Sequence, residues 1–127
     1  HILRRPLAEL PEPVLRSFGH LNQKIYKPMQ GPSELGISGL LANWDRFDDL
    51  ERIDVPPLVV GARYDTMDPA HMKKMAQRLP QGQFLYCENG SHMAMYDDAG
   101  CYFDGLLKFL RGAPARTAAK PRSLRSY

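Results

Sequence analysis

Two side chains in this sequence have the type and setting that proton-transfer chemistry needs. Asp65 closes the stretch LVVGARYD, residues 58 to 65, and His92 follows Gly90-Ser91 in ENGSHMAMYDD, residues 88 to 98. A carboxylate that accepts the Nδ1 proton of an imidazole fixes the ring's tautomer and orientation. It also stabilises the imidazolium that forms when Nε2 takes a proton. Such a pair is two thirds of a nucleophilic triad. Each residue has a plainer reading as well, since an aspartate after Gly-x-x-Tyr is often a turn former and a histidine after a strand is often a hydrogen-bonded structural residue. Asp68 competes with Asp65, but its place before Pro69 suits a helix N-cap. His1, His20 and His71 have no placed carboxylate partner. A metal reading of Asp65, Asp68 and His71 is disfavoured, because spacing of i, i+3, i+6 does not keep three ligands on one helix face. Cys87 and Cys101 lie fourteen apart with no CxxC and no histidine at ligand spacing. They read as buried free thiols rather than a zinc site or a disulfide framework. No metal and no cofactor is expected.

The elements around Asp65 and His92 must bring the two together. Leu58, Val59 and Val60 form an apolar run bounded by Pro56-Pro57 and Gly61, which predicts a strand covered on both faces. A helix is predicted from Pro69, capped by Asp68, through Met72, Met75, Ala76 and Leu79 to Pro80. A second strand follows over QFLYCE, residues 83 to 88. After the GSH turn, a last helix over roughly 97 to 110 carries Tyr102, Phe103, Leu106, Leu107 and Leu110 on one face. Strand, helix, strand, helix with short links predicts a parallel sheet in an α/β fold. In such sheets ligands gather at the carboxyl ends of the strands, where Asp65 and His92 both fall.

Upstream the pattern is more broken. Prolines at 6, 11 and 13 limit residues 4 to 18 to broken helical turns, and residues 19 to 30 predict a short helix ending before Pro28. GPSELGISGLLANWD, residues 31 to 45, reads as a loop or crossing segment. Trp44, Phe47, Leu50 and Ile53 make a stripe that suits a short amphipathic helix.

The chain has 127 residues, 43% apolar and 24% charged, which is ordinary globular composition. A first residue that is not Met and a first clear strand near residue 57 lead us to expect a piece of something longer. No run approaches the roughly 18 apolar residues of a membrane span, and residues 1 to 20 lack the order of a signal peptide. No membrane association is expected, and a cytoplasmic location is. The net charge of +3 divides unevenly: residues 111 to 127 carry five basic side chains and no acid, leaving twelve basic against fourteen acidic before them. That tail is read as disordered and solvated. Apart from Tyr127 no aromatic interleaves its charges, so a nucleic-acid partner is not expected.

YKPMQGPSELGISGLLANWDRFDDLERIDVPPLVVGARYDTMDP, with CENGSHMAMYDD and the closing YFDGLLKFL, resembles the C-terminal part of the proline iminopeptidases. The likeness runs over about residues 24 to 110. It implies an α/β-hydrolase that removes an N-terminal residue, often proline, from peptides. On that resemblance residues 1 to 42 are the end of a helical cap and a return segment, 43 to 110 the C-terminal part of the core, and 111 to 127 the tail. It implies Asp65 as triad acid, His92 as triad base and Glu34 of GPSE as the group that binds the α-amino group of a peptide with a free N-terminus. Some relatives have a second acid directly after the triad aspartate, where this chain has Thr66. The triad order in this fold is nucleophile, acid, base, with the serine in G-x-S-x-G. Ser33, Ser38 and Ser91 all lack that context, so the serine is expected upstream. An ester, lactone or amide hydrolase and a non-catalytic interaction module are the alternatives.

Overall fold

The computed structural model describes residues 10–32 and 36–112. Two strands, β1 (Leu58–Ala62) and β2 (Gln83–Cys87), pair in parallel, in register from Leu58 opposite Gln83 to Ala62 opposite Cys87. Five α-helices flank or precede them: α1 (Glu12–Gly19), α2 (Gln23–Gln30), α3 (Pro69–Arg78), α4 (Ala94–Asp97) and α5 (Ala99–Gly112). The strand alternation assigns one sheet face to each group of helices. Val60 and Leu85 pack with Ala62, Cys87 and Ala94 against Cys101 and Tyr102 of α5. Gly61 and Phe84 point the other way; a Cβ on Gly61 would lie 3.1 Å from the Phe84 ring and 3.5 Å from Cβ of Met72 on α3. The predicted strand covered on both faces is therefore present, and the fold is α/β.

The α3 helix starts as its sequence dictates, with Asp68 accepting from the Ala70 amide at 2.9 Å and Pro69 in the first turn. On the opposite face α5 approaches closely at Gly105, where a Cβ would fall 2.5 Å from a Leu85 methyl. The predicted apolar face of this helix divides in two. Tyr102 and Leu106 turn towards the sheet, whereas Phe103, Leu107 and Leu110 are exposed. The helix expected over roughly 97 to 110 is α5, and the short α4 before it is separate because the chain leaves helical geometry at Asp98 (φ −141°, ψ 47°).

Three upstream expectations need correction. The broken turns expected up to residue 18 include a two-turn helix, α1, because Pro11 is its N-cap and Pro13 lies in its first turn, where no amide donor is needed. The helix expected to stop before Pro28 continues to Gln30 with Pro28 inside it. Its last carbonyls are satisfied from the following segment: Leu40 donates to Pro28 at 2.9 Å, Leu41 to Met29 and Ser38 to Gln30 at 3.0 Å. Gly39 permits that approach, since a Cβ there would lie 2.4 Å from the Met29 oxygen, and Gly31 makes the exit at φ 107°. The Trp44 to Ile53 stripe is a 3₁₀ helix over Phe47–Arg52. Spacing of three residues stacks side chains on one face of a three-residue turn, and Trp44 stays outside it, 67% exposed. Glu34 and most of the basic tail lie outside the described residues.

Candidate active site

The parallel register ends with Ala62 beside Cys87, so both following loops leave from one edge of the sheet. Two backbone bonds lace these loops together. Arg63 donates to the Cys87 carbonyl at 3.2 Å and Tyr64 to the Gly90 carbonyl at 3.0 Å. The Arg63 guanidinium also pairs with the Glu88 carboxylate across the same gap.

Asp65 and His92 meet there. His92 Nδ1 lies 3.0 Å from Asp65 Oδ1. The same oxygen accepts from the Met67 amide at 3.0 Å and from the Thr66 hydroxyl at 3.4 Å. The Asp65 side chain is only 9% exposed and that of His92 is 41% exposed. A shielded carboxylate thus holds the Nδ1 side of an imidazole whose other parts reach solvent. Asp68 and His71 stay out of this cluster: Asp68 caps α3, and His71 packs against Phe47 in a tilted ring pair with centroids 5.4 Å apart.

A second carboxylate, absent from the sequence-based reading, holds the turn that carries His92. Asp97 accepts from the Ser91 amide through Oδ1 at 3.0 Å and from the Ser91 hydroxyl through Oδ2. Ser91 Oγ in turn accepts from the Met93 amide at 3.2 Å. Ser91 is 1% exposed, so these bonds are made where water does not compete. Asp98 accepts from the Asn89 amide at 3.1 Å on the other side of the turn. The DD pair in MYDD was the available signal; its spacing from Ser91 becomes meaningful only once the chain folds back through α4.

Cys87 and Cys101 are both free thiols. Burial, aided by the neighbouring Cys101, pushes the Cys87 thiol up to about 12. A groove of about 410 Å³ lined by Pro69, Ala70, Lys73, Phe84 and Tyr86 opens on the α3 face and contains neither Asp65 nor His92.

No family model matches the chain. It is 51% identical over 110 residues to a proline iminopeptidase of Chitinophaga pinensis, covering 87% of this chain and 37% of that relative. A proline iminopeptidase of Elizabethkingia meningoseptica is 45% identical over 119 residues, 92% of this chain and 39% of the relative. The chain belongs to the proline iminopeptidase family, as its C-terminal portion. The crystal structure of VinJ superposes with a TM-score of 0.76 at 25% identity, covering 84% of this chain and 37% of VinJ. The two parallel strands and their helices are accordingly the C-terminal portion of an α/β-hydrolase fold. The chain spans little more than a third of the length of the curated relatives it matches.

Proposed function

We propose that the intact protein is a serine aminopeptidase that releases N-terminal residues, proline foremost, from peptides, with Asp65 and His92 as acid and base of its triad. The observation that carries this reading is the 3.0 Å contact between Asp65 Oδ1 and His92 Nδ1, made at the carboxyl edge of the sheet. With Nδ1–H donated to the carboxylate, Nε2 is the free base. It takes the proton of a serine hydroxyl supplied from outside this chain as that hydroxyl attacks the scissile carbonyl. His92 then returns the proton to the leaving amine, and water cleaves the acyl-enzyme by the reverse sequence. Shielding of Asp65 from water strengthens its hold on the imidazolium in each step.

The substrate is a peptide with a free N-terminus, and Glu34 receives its ammonium through a charge-assisted hydrogen bond. Thr66 favours a second reading, an ester, lactone or amide hydrolase. Where some relatives place another acid, this hydroxyl donates to Asp65 Oδ1, so the subsite carries one negative charge fewer. Turnover of free and N-acetylated prolyl anilides by the full-length protein separates the two. Aminopeptidase action requires the free amine, and equal rates on both substrates would overturn it.

No helix among the described residues is long and apolar enough to cross a membrane. Free thiols whose sulfur atoms lie within 4.8 Å of each other suit a reducing compartment, and we assign the protein to the cytoplasm on that ground.

A further inference from the structure

Cys87, Asp98 and Cys101 each offer a ligand atom, and the three atoms lie within 4.8 Å of one another. Spacing concealed this cluster: Cys87 ends β2, Asp98 separates α4 from α5, and Cys101 sits in the first turn of α5. We propose that these three side chains form a binding site for a thiophilic divalent cation of the Zn²⁺ class, placed under the turn that carries His92.

The donor set suits that ion, because two thiolates and one carboxylate are the borderline-soft and hard ligands zinc accepts, and three protein ligands leave a fourth position open. Bond lengths of about 2.3 Å to sulfur and about 2.0 to 2.2 Å to oxygen place tetrahedral ligand atoms roughly 3.5 to 3.8 Å apart, so closure from the present spacing is about 1 Å. One outer contact already orients the carboxylate: Asp98 Oδ2 accepts from the Asn89 amide at 3.1 Å. Cys87 is fully buried, whereas Cys101 and Asp98 are partly exposed and give the ion a way in. The filled site carries a net charge of −1 beside the N-terminus of the fourteen-residue α5, where a negative charge is favoured. A Cβ on Gly90 would lie 3.0 Å from Cβ of Cys87 and 3.3 Å from Cβ of Asp98, so the site directly underlies the Gly90-Ser91-His92 turn.

The step balances as one cation entering and two thiol protons leaving, with both sulfurs bound as thiolates. Below the thiol pKa values affinity therefore rises about a hundredfold per pH unit.

The test titrates the reduced full-length protein with Co²⁺. One equivalent should give thiolate-to-cobalt charge-transfer absorption and tetrahedral d–d bands that added Zn²⁺ abolishes. Cys101→Ser should cut the charge-transfer signal to half or less, Cys87→Ser with Cys101→Ser should remove it, and Asp98→Asn should weaken binding at least tenfold. Circular dichroism of each variant establishes that it is folded. Absence of the charge-transfer bands, or their persistence at full intensity in the double variant lacking both thiols, would overturn the proposal.

Discussion

Replacing Asp65 by Asn changes one atom and leaves the side-chain volume nearly the same, which makes it the sharpest perturbation of the pair. Oδ1 of Asp65 receives three donors: His92 Nδ1 and the Met67 amide at 3.0 Å, and the Thr66 hydroxyl at 3.4 Å. The asparagine carbonyl can keep only part of that set. With its oxygen towards Met67 and His92, the geometry survives but the negative charge is gone, a loss of about 1.5 to 3 kcal/mol for one charged hydrogen bond. With its NH₂ towards His92, Nδ1 must accept, so Nε2 carries the proton and cannot take another from a nucleophile. Together these effects predict a fall in kcat of about four orders of magnitude, or about 5.5 kcal/mol of transition-state stabilisation. Stability should fall by only about 1 kcal/mol, since the loop keeps the backbone bonds from Arg63 and Tyr64 to the second loop. The assay is steady-state hydrolysis of a free prolyl anilide by the full-length protein, with a thermal melt of each form. A kcat within tenfold of wild type in a folded variant would refute the reasoning.

Glu34→Gln in the full-length protein should lower kcat/KM for free prolyl substrates by about 1.5 to 3 kcal/mol and leave a simple uncharged ester nearly unaffected; an equal loss on both would give Glu34 a purely structural role. The isolated 127-residue chain should be inactive and poorly stable, because Leu15, Ile25, Leu40, Trp44 and Leu110 stand exposed and, among the described residues, β1 and β2 pair with each other alone, leaving both as edge strands. Cooperative unfolding of the isolated chain as a monomer would contradict that. Cys87, with its thiol raised to about 12, should be alkylated at pH 8 roughly a thousandfold more slowly than a free cysteine, since only the thiolate reacts. The same shift makes stability fall as pH rises from about 9 towards 12, where the unfolded chain has released this proton and the folded chain has not; mass spectrometry of the labelled protein and melts across that range check both.

The strand and helix pattern after residue 57 was legible because each signal there is local. A β-branched run ends at a glycine, an Asp-Pro pair opens α3, and QFLYC makes a second short strand. The meeting of Asp65 and His92 followed from topology alone, since parallel strands deliver their following loops to one edge. Upstream, the effect of proline depends on its position in the helix. Pro11 and Pro13 start a helix, and Pro28 is tolerated where residues 38 to 41 satisfy the neighbouring carbonyls. The period-three stripe reads as a short amphipathic helix, and the helix it forms is 3₁₀, whose three-residue turn matches that spacing. The Ser91–Asp97 bonds and the Cys87, Asp98 and Cys101 cluster were not legible, because the first close only when the chain folds back through α4 and the second joins residues across the break between α4 and α5.

The most direct measurement for the central claim is the turnover number of the His92→Ala variant of the full-length protein on a free prolyl substrate, taken with its circular dichroism. The account predicts a folded protein whose kcat has dropped by at least three orders of magnitude. A folded His92→Ala variant turning over at the wild-type rate would contradict it.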